Sequence, residues 1–452
     1  MIQYEELLNL LKQLIIEDKQ DRIQDLIKEI QPADIVELFD GMSPEKIAPI
    51  IGLLEGDTAA EVLHQLDPEA VSLILRLMGA EKTAAIFAKM FSDDVVDLLS
   101  ELPEQEKDQI LDLMEKEDAV DVRELLGYEE DTAGGIMTTE YVAIRQDITA
   151  ERAIEALREI APDAETVYYV YVINSKNKLV GVISLRELII SDPKILIEDI
   201  MRRKVINVNV NTDQEEVAAI VSKYDLLAVP VVDNENSLVG IVTVDDIIDV
   251  INEEVTEDIY RLAGATEIDL EASPIKQIVG SLRSRLPWLL VTLAGGLLAG
   301  RIIRVLEAEL QAVVALAYFI PLLTGMGGNV GTQSSTLTVR GLATGQINAQ
   351  EIFLTVGREA LVGTAVGLIC GIIVTIVAYF WQKSLLLGLI VGGALLGNMF
   401  TAATMGTLVP MVFKRLGIDP AVASAPFIST SIDITGLLIY TGLAYLFITR
   451  LI

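Results

Sequence analysis

The stretch AVASAPFISTSIDITGLLIYTGLAYLFIT, Ala421–Thr449, holds a single charged side chain, Asp433. About 20 apolar residues cross a hydrocarbon core, so this stretch reads as a membrane span with length to spare for tilt. Its neighbours read the same way. Leu385–Phe413 and Leu361–Trp381 carry no charge at all. Leu286–Ile303 carries only Arg301, near its end, and Ala312–Thr338 starts apolar before turning small and polar. Five spans are expected within residues 281–452, an all-α membrane domain. Trp288, Tyr379, Trp381 and Tyr445 lie near span ends, where amphipathic rings favour the interface.

An odd number of spans puts the two ends of the chain on opposite sides of the bilayer. The region before the first span is large and acidic and opens without a basic n-region, so it is expected in the cytosol with no signal peptide. Lys276, Arg283, Arg285, Arg340, Lys414 and Arg415 then face the cytosol, against Arg301, Arg304, Lys383 and Arg450 outside. That bias has the positive-inside sense. The expected location is the cell (plasma or inner) membrane, with several passes.

Two polar features interrupt the apolar half. An ionised acid at the depth of Asp433 costs about 2.5–3.5 kcal/mol on insertion scales, so Asp433 is expected to face water or a cation. Ser429 and Ala425 precede it at i−4 and i−8 and put a narrow stripe on the same face. The second feature is GMGGNVGTQ, Gly325–Gln333. Four glycines with Asn329, Thr332 and Gln333 allow two readings. One is irregular backbone lining a cavity, its carbonyl and amide oxygens serving as hard ligands or as acceptors for an ion's water shell. The other is a tight helix crossing.

Upstream, the solvent changes. Residues 1–272 hold 60 acidic and 23 basic side chains, while residues 273–452 hold 6 and 11, within an overall net charge of -32. So acidic a half excludes phosphate-backbone binding, and no nucleic acid is expected as a partner. Cys370 is the one cysteine and His64 the one histidine, which excludes an intrachain disulfide, thiolate metal sites and a histidine-based zinc site or triad. No nucleophile–base pair or phosphate loop is present, so catalysis is not expected.

The acidic half is built of repeats. MSPEK (from Met42), LEGDT (Leu54), LDPEA (Leu66), MGAEK (Met78), FSDDV (Phe91) and LPEQE (Leu102) recur at near-constant spacing. Each pairs a turn or cap residue with acids and then an apolar run, which predicts a small solenoid of short helices over 1–130. Ser43, Asp67 and Ser92 are the expected N-caps. A second repeat follows: KLVGVISLRELI (Lys178–Ile189) matches SLVGIVTVDDII (Ser237–Ile248), and GIM (Gly135–Met137) matches DIM (Asp199–Met201). Each copy orders a short extended run, a helix, two strands and a helix, predicting paired α/β units at 131–195 and 196–252. At the end of the second copy Asp245, Asp249, Glu253 and Glu257 form an i, i+4 acidic ladder flanked by Asp246, Glu254 and Asp258. Such a ladder opposes its own helix unless a hard divalent cation offsets it, and Asp93 with Asp97 repeats the pattern.

The strand–G-x-[IV]-[ST]–helix units resemble a tandem of cystathionine-β-synthase-type (CBS) domains. The order of helical solenoid, CBS pair, connecting helix (253–280) and five spans, with PLLTGMGGNVGTQ and PFISTSID, resembles the MgtE family of magnesium channels. That resemblance implies a homodimeric Mg²⁺-selective channel or transporter mediating uptake. Its pore is lined by Asp433 with Asn329, Gly328 and Ser429, and bound Mg²⁺ closes it. The matching acidic positions are Glu61, Asp93 and Asp97 in the solenoid, Glu215, Asp225, Asp246, Asp249, Glu257 and Asp258 in and after the CBS pair, and Asp419 beside the membrane. It also implies an adenosine nucleotide, ATP, on the CBS pair, where the residues here are Ser184, Arg186 and Glu187. The alternative reading is an H⁺- or Na⁺-coupled divalent cation transporter with Asp433 as coupling site.

Overall fold

A computed structural model describes residues 27, 30–39, 41–66, 68–160, 164–266, 274–305, 313–422 and 425–451. The chain divides into two compact units, Met1–Ile251 and Asn252–Ile452.

Among the described residues of the first unit, eight short helices come first: α1 (Pro32–Leu38), α2 (Pro44–Ile51), α3 (Gly56–His64), α4 (Pro68–Met78), α5 (Ala80–Phe87), α6 (Ser92–Ser100), α7 (Glu104–Leu111) and α8 (Lys116–Leu125). Helices this short are not stable alone, so burial must hold them. Each packs mainly on its next neighbour but one, α1 on α3, α3 on α5, α5 on α7, and α2 on α4, α4 on α6, α6 on α8. This is the stacking that a two-helix repeat predicts. Ser43 occupies the N-cap position of α2, though its hydroxyl caps no backbone N–H. Asp67 lies outside the described residues. Ser92 is a correction: Phe91 holds the N-cap position and Ser92 the first helical one. Its hydroxyl donates instead to Glu140 Oε2 at 2.7 Å and meets Thr139 Oγ1 at 3.0 Å, so a better acceptor outside the helix has claimed it.

The two α/β copies follow. The first contains β1 (Ala143–Arg145), α9 (Ala150–Ile160), β2 (Tyr169–Ile173), β3 (Leu179–Ser184), α10 (Leu185–Ile190) and α11 (Ile197–Ile200). The second contains β4 (Val208–Asn209), α12 (Gln214–Tyr224), β5 (Ala228–Val232), β6 (Leu238–Thr243) and α13 (Val244–Ala263). Each forms a three-stranded sheet, parallel between its first two strands and antiparallel between its last two. Val170, Val172, Val229, Val231 and Val242 are fully buried, and the core of the second copy is continuous with that of the short helices. Helix α13 runs without a break across residues 252 and 253.

Among its described residues the second unit holds five helices long and apolar enough to cross a membrane, in agreement with the span count. They are α14 (Pro274–Val305), α15 (Ile320–Ala343), α16 (Ile352–Gln382), α17 (Leu385–Arg415) and α18 (Ala425–Leu451). The antiparallel α16–α17 pair packs through glycines. A Cβ on Gly371 would stand 2.7 Å from the Gly392 carbonyl oxygen, and one on Gly367 would stand 2.9 Å from Leu396 Cα. Helix α15 lies against both α17 and α18, and α14 packs on α18.

Candidate ion-conducting and ion-sensing sites

Asp433 stands in the third turn of α18, and its Oδ1 is buried without a hydrogen-bond partner among the described residues. The hydroxyls around it are already committed. Thr430 donates to the Pro426 carbonyl at 2.7 Å, Ser431 to Phe427 at 2.9 Å, and Thr435 to Ser431 at 3.0 Å, each bonding back along its own helix. Oδ1 of Asp433 is therefore the buried side-chain oxygen of this helix left without a hydrogen-bond partner among the described residues, as an oxygen that meets an ion or its water shell must be.

Of the two readings of Gly325–Gln333, the helix crossing holds. The segment is uninterrupted helix within α15, which corrects the expectation of irregular backbone with exposed carbonyls. Its carbonyls serve the helix, and its glycines serve as sockets. A Cβ on Gly328 would stand 2.7 Å from Ser429 Oγ, and one on Gly331 would stand 3.1 Å from Ile428 and overlap Ile432. So α15 receives α18 in the turn that leads up to Asp433. Asn329 falls on the opposite, exposed side of α15, in register with Gly325 and Gln333. Gly328, Ser429 and Asp433 are thus gathered at one crossing, while Asn329 faces away from it within this protomer.

In the first unit the structure brings together Asp93, at the start of α6, and Asp246, in the first turn of α13. A third carboxylate, Glu165, joins them, and one oxygen from each lies within 4.8 Å of the others. Asp93 is buried, and Glu165 Oε2 is buried without a hydrogen-bond partner among the described residues. Burial, then Glu165, Asp246 and Asp94, raises the Asp93 carboxyl well above its ordinary range. Glu165 is pushed up to about 8, by burial first and then by Asp246 and Asp245. Burial raises Asp246 to about 6 against the opposing hydrogen bond from Thr243 Oγ1, at 2.6 Å. Three hard oxygen donors that resist ionisation side by side fit a divalent cation, whose charge offsets both burial and repulsion. Glu165 was missed by sequence reasoning. It sits in a loop before β2, in no ladder and no repeat, and carried no local signal.

The remaining expected ligands are spread out. Glu61 is exposed on α3, one turn before His64. Asp97, on α6, lines a small cavity with Ser100, Tyr128, Glu130 and Gly135. Glu215 lies in the first turn of α12 and Asp225 ends that helix in a left-handed conformation, φ 50°. Asp249, Glu257 and Asp258 lie along α13. In the second unit Glu257 and Asp419 come together on one cation, the guanidinium of Arg261, which contacts both. Around the expected nucleotide residues, Ser184 caps α10 in a capping box with Glu187, whose carboxylate also holds Arg202 at 2.7 Å. Arg186 is exposed on the same helix.

Five candidate spans among the described residues, a buried carboxylate oxygen without a hydrogen-bond partner there, and a preceding α/β pair with an acidic cluster suited to a hard cation make the architecture of a multi-span membrane protein with ion-binding chemistry. Residues 320–443 match the family described as "Divalent cation transporter", residues 30–131 the "MgtE intracellular N domain", and residues 133–192 and 197–253 the "CBS domain". The "Magnesium transporter MgtE" of Thermus thermophilus is 40% identical over 430 residues, 94% of each chain. That of Enterococcus faecalis is 44% identical over 331 residues, 73% of this chain and 72% of the relative. The chain belongs to the MgtE family of magnesium transporters. Among solved structures, the cytosolic domain of the Mg²⁺ channel MgtE in complex with ATP is 40% identical, with a TM-score of 0.51 over 53% of this chain and 99% of that one.

Proposed function

We propose that this chain moves Mg²⁺ across the membrane through α15 and α18, with Asp433 as the ion site, and that Mg²⁺ on its acidic soluble half closes the path. The observation that carries the reading is the buried Oδ1 of Asp433, without a hydrogen-bond partner among the described residues, in a chain 40% identical to a magnesium transporter over 94% of its length. Mg²⁺ gives up its waters reluctantly, so a path for it is best made wide enough for a hydrated ion and lined by oxygens that hold the water shell. Asp433 supplies the charge, Ser429 and the Gly328 socket set its neighbourhood, and Asn329 faces the path from a second copy of the chain in a homodimer.

The soluble half acts as a cytosolic sensor. Asp93, Glu165 and Asp246 would hold one ion, and Glu61, Asp97, Glu215, Asp225, Asp249, Glu257, Asp258 and Asp419 would supply further weak sites, so several ions bind with a combined steep dependence. An adenosine nucleotide would sit by Ser184 and Arg186, as the ATP-bound relative suggests. The test is Mg²⁺ flux into liposomes at varied Mg²⁺ on the soluble-domain side. Asp433→Asn should abolish uptake in protein that elutes like the parent; retained uptake would sink the ion-site assignment. A flux that depends on an imposed H⁺ or Na⁺ gradient would favour coupled transport over a channel.

A further inference from the structure

We propose that Asn398 is a positioning residue for the ion site, fixing how far the helix that carries Asp433 stands from its neighbours and thereby which divalent ion passes. The inference rests on Asp433 being the ion site. Asn398 lies in the uncharged run of α17, and its side chain is fully buried. Nδ2 donates to the carbonyl of Leu323 on α15 at 2.7 Å. The carboxamide occupies the hollow that two glycines on two other helices leave. A Cβ on Gly327 of α15 would stand 2.9 Å from Asn398 Cγ and Oδ1, and one on Gly436 of α18 would stand 2.6 Å from Cγ. Gly436 is one turn beyond Asp433, and Ser429, in the Gly328 socket, is one turn before it. The two contacts bracket the carboxylate.

An apolar side chain of similar size would fill the same hollow without burying an amide oxygen, and Oδ1 of Asn398 is indeed buried without a hydrogen-bond partner among the described residues. What the amide adds is direction. Dispersion contacts between helices tolerate sliding, whereas a donor fixed on a backbone carbonyl sets one separation. With Gly327 and Gly436 leaving no slack on either side, three helices are held at one spacing at the level of Asp433. Replacing the amide lets α18 settle differently against α17, and the carboxylate moves with it.

The experiment is uptake of Mg²⁺ and of Ca²⁺, measured separately as initial rates, by the full chain in liposomes. Asn398→Leu removes the anchor, and Gly436→Ala pushes on it from the other helix. Both should reach the membrane, elute like the parent, and change the Ca²⁺-to-Mg²⁺ ratio by up to about a hundredfold, the scale on which a displacement of about 1 Å alters a positioned site. A parental ratio in both folded variants overturns the inference, because loss of packing alone lowers yield without changing discrimination. Should Asn398→Leu fail to fold, Asn398→Ser, smaller and still polar, is read for the same ratio. Asp433→Asn is run alongside. If it transports like the parent, the ion-site reading fails; if it is silent while the Asn398 variants keep the parental ratio, only the positioning role fails.

Discussion

Arg261, near the end of α13, donates from its guanidinium to the carboxylate of Asp419, which lies between α17 and α18. The same side chain meets Glu257 one turn back along its own helix. Two acids expected as cation ligands therefore already share a cation, and it belongs to the chain. Any Mg²⁺ at Asp419 must compete with it.

Arg261→Ala removes the charge that bridges Glu257 and Asp419. These groups are partly exposed, so the bridge is worth on the order of 0.2–1 kcal/mol. Without Mg²⁺, the variant should be cut faster by protease near residues 257–266 than the parent is. Millimolar Mg²⁺ should narrow the difference, and Arg261→Lys, which keeps the charge but not the fork, should fall between. Equal digestion of all three chains in Mg²⁺-free buffer would refute the bridge.

The carboxylates of Asp93, Glu165 and Asp246 make the first unit sensitive to pH with a defined sign. Glu165 titrates near 8 and Asp246 near 6 when folded, above their ordinary values near 4. Between those values and the folded ones the native state holds protons that the opened state has lost, so stability falls as pH rises from about 4.5 to about 8. The slope is at most about 1.4 kcal/mol per pH unit for each group. Hydrogen exchange around residues 93 and 246 without Mg²⁺ should be slower at pH 6 than at pH 8 after correction for intrinsic rates. Mg²⁺ should reverse that order, since it binds the ionised carboxylates.

Glu165→Gln removes one negative charge from the same cluster. It should slow exchange at pH 8 in Mg²⁺-free buffer and weaken the protection that Mg²⁺ confers, while Glu159→Gln, in the same copy but outside the cluster, should do neither. If Glu165→Gln leaves the Mg²⁺ response intact, Glu165 is not a ligand.

His64 reinforces that trend. Its Nδ1 lies 2.7 Å from Asp94 Oδ1, and the hydrogen bond to Asp94, against the opposing effect of burial, raises its pKa to about 9. Asp246 and Asp249 also act on it through space. A raised histidine contributes stability that is complete below about 6.5 and is lost as pH rises through about 9. His64→Ala should therefore speed exchange in α3 and α6 at pH 6.5 and leave it unchanged at pH 10. A pH-independent effect would show that the pair contributes by packing instead.

Gly331→Ala places a methyl group against Ile428 and Ile432 at the crossing of α15 and α18. Overpacking of this kind costs about 1–3 kcal/mol. The melting temperature in detergent should fall, and Mg²⁺ uptake should fall with it. Gly325→Ala, where a Cβ meets nothing within 4 Å in the protomer, should leave the melting temperature unchanged.

Much of the architecture was legible because its signals are local. Uncharged runs as long as Leu361–Trp381 and Leu385–Phe413 admit few readings other than a span. The regular spacing of cap and apolar run marks short stacked helices, and a duplicated G-x-[IV]-[ST] marks a duplicated sheet. Where sequence reasoning failed, the cause lay in a partner distant along the chain. Ser92 has every feature of an N-cap, yet Glu140, far along the chain, takes its hydroxyl. Gly325–Gln333 has a loop's composition but folds as helix, because Asn398, Ser429 and Ile432 fill the space its glycines leave.

The amino-acid sequence alone therefore determined which segments enter lipid, which repeat, and that Asp433 is the one acid deep in the last span, since hydropathy and period depend only on neighbours. Only the tertiary structure decided which carboxylates meet. It joined Glu165 to Asp93 and Asp246, gave Asp419 to Arg261, and set Asn398 between two glycines on other helices. Charge–charge energy depends on distance through space, and nothing in a linear spacing reports that distance for residues so far apart along the chain.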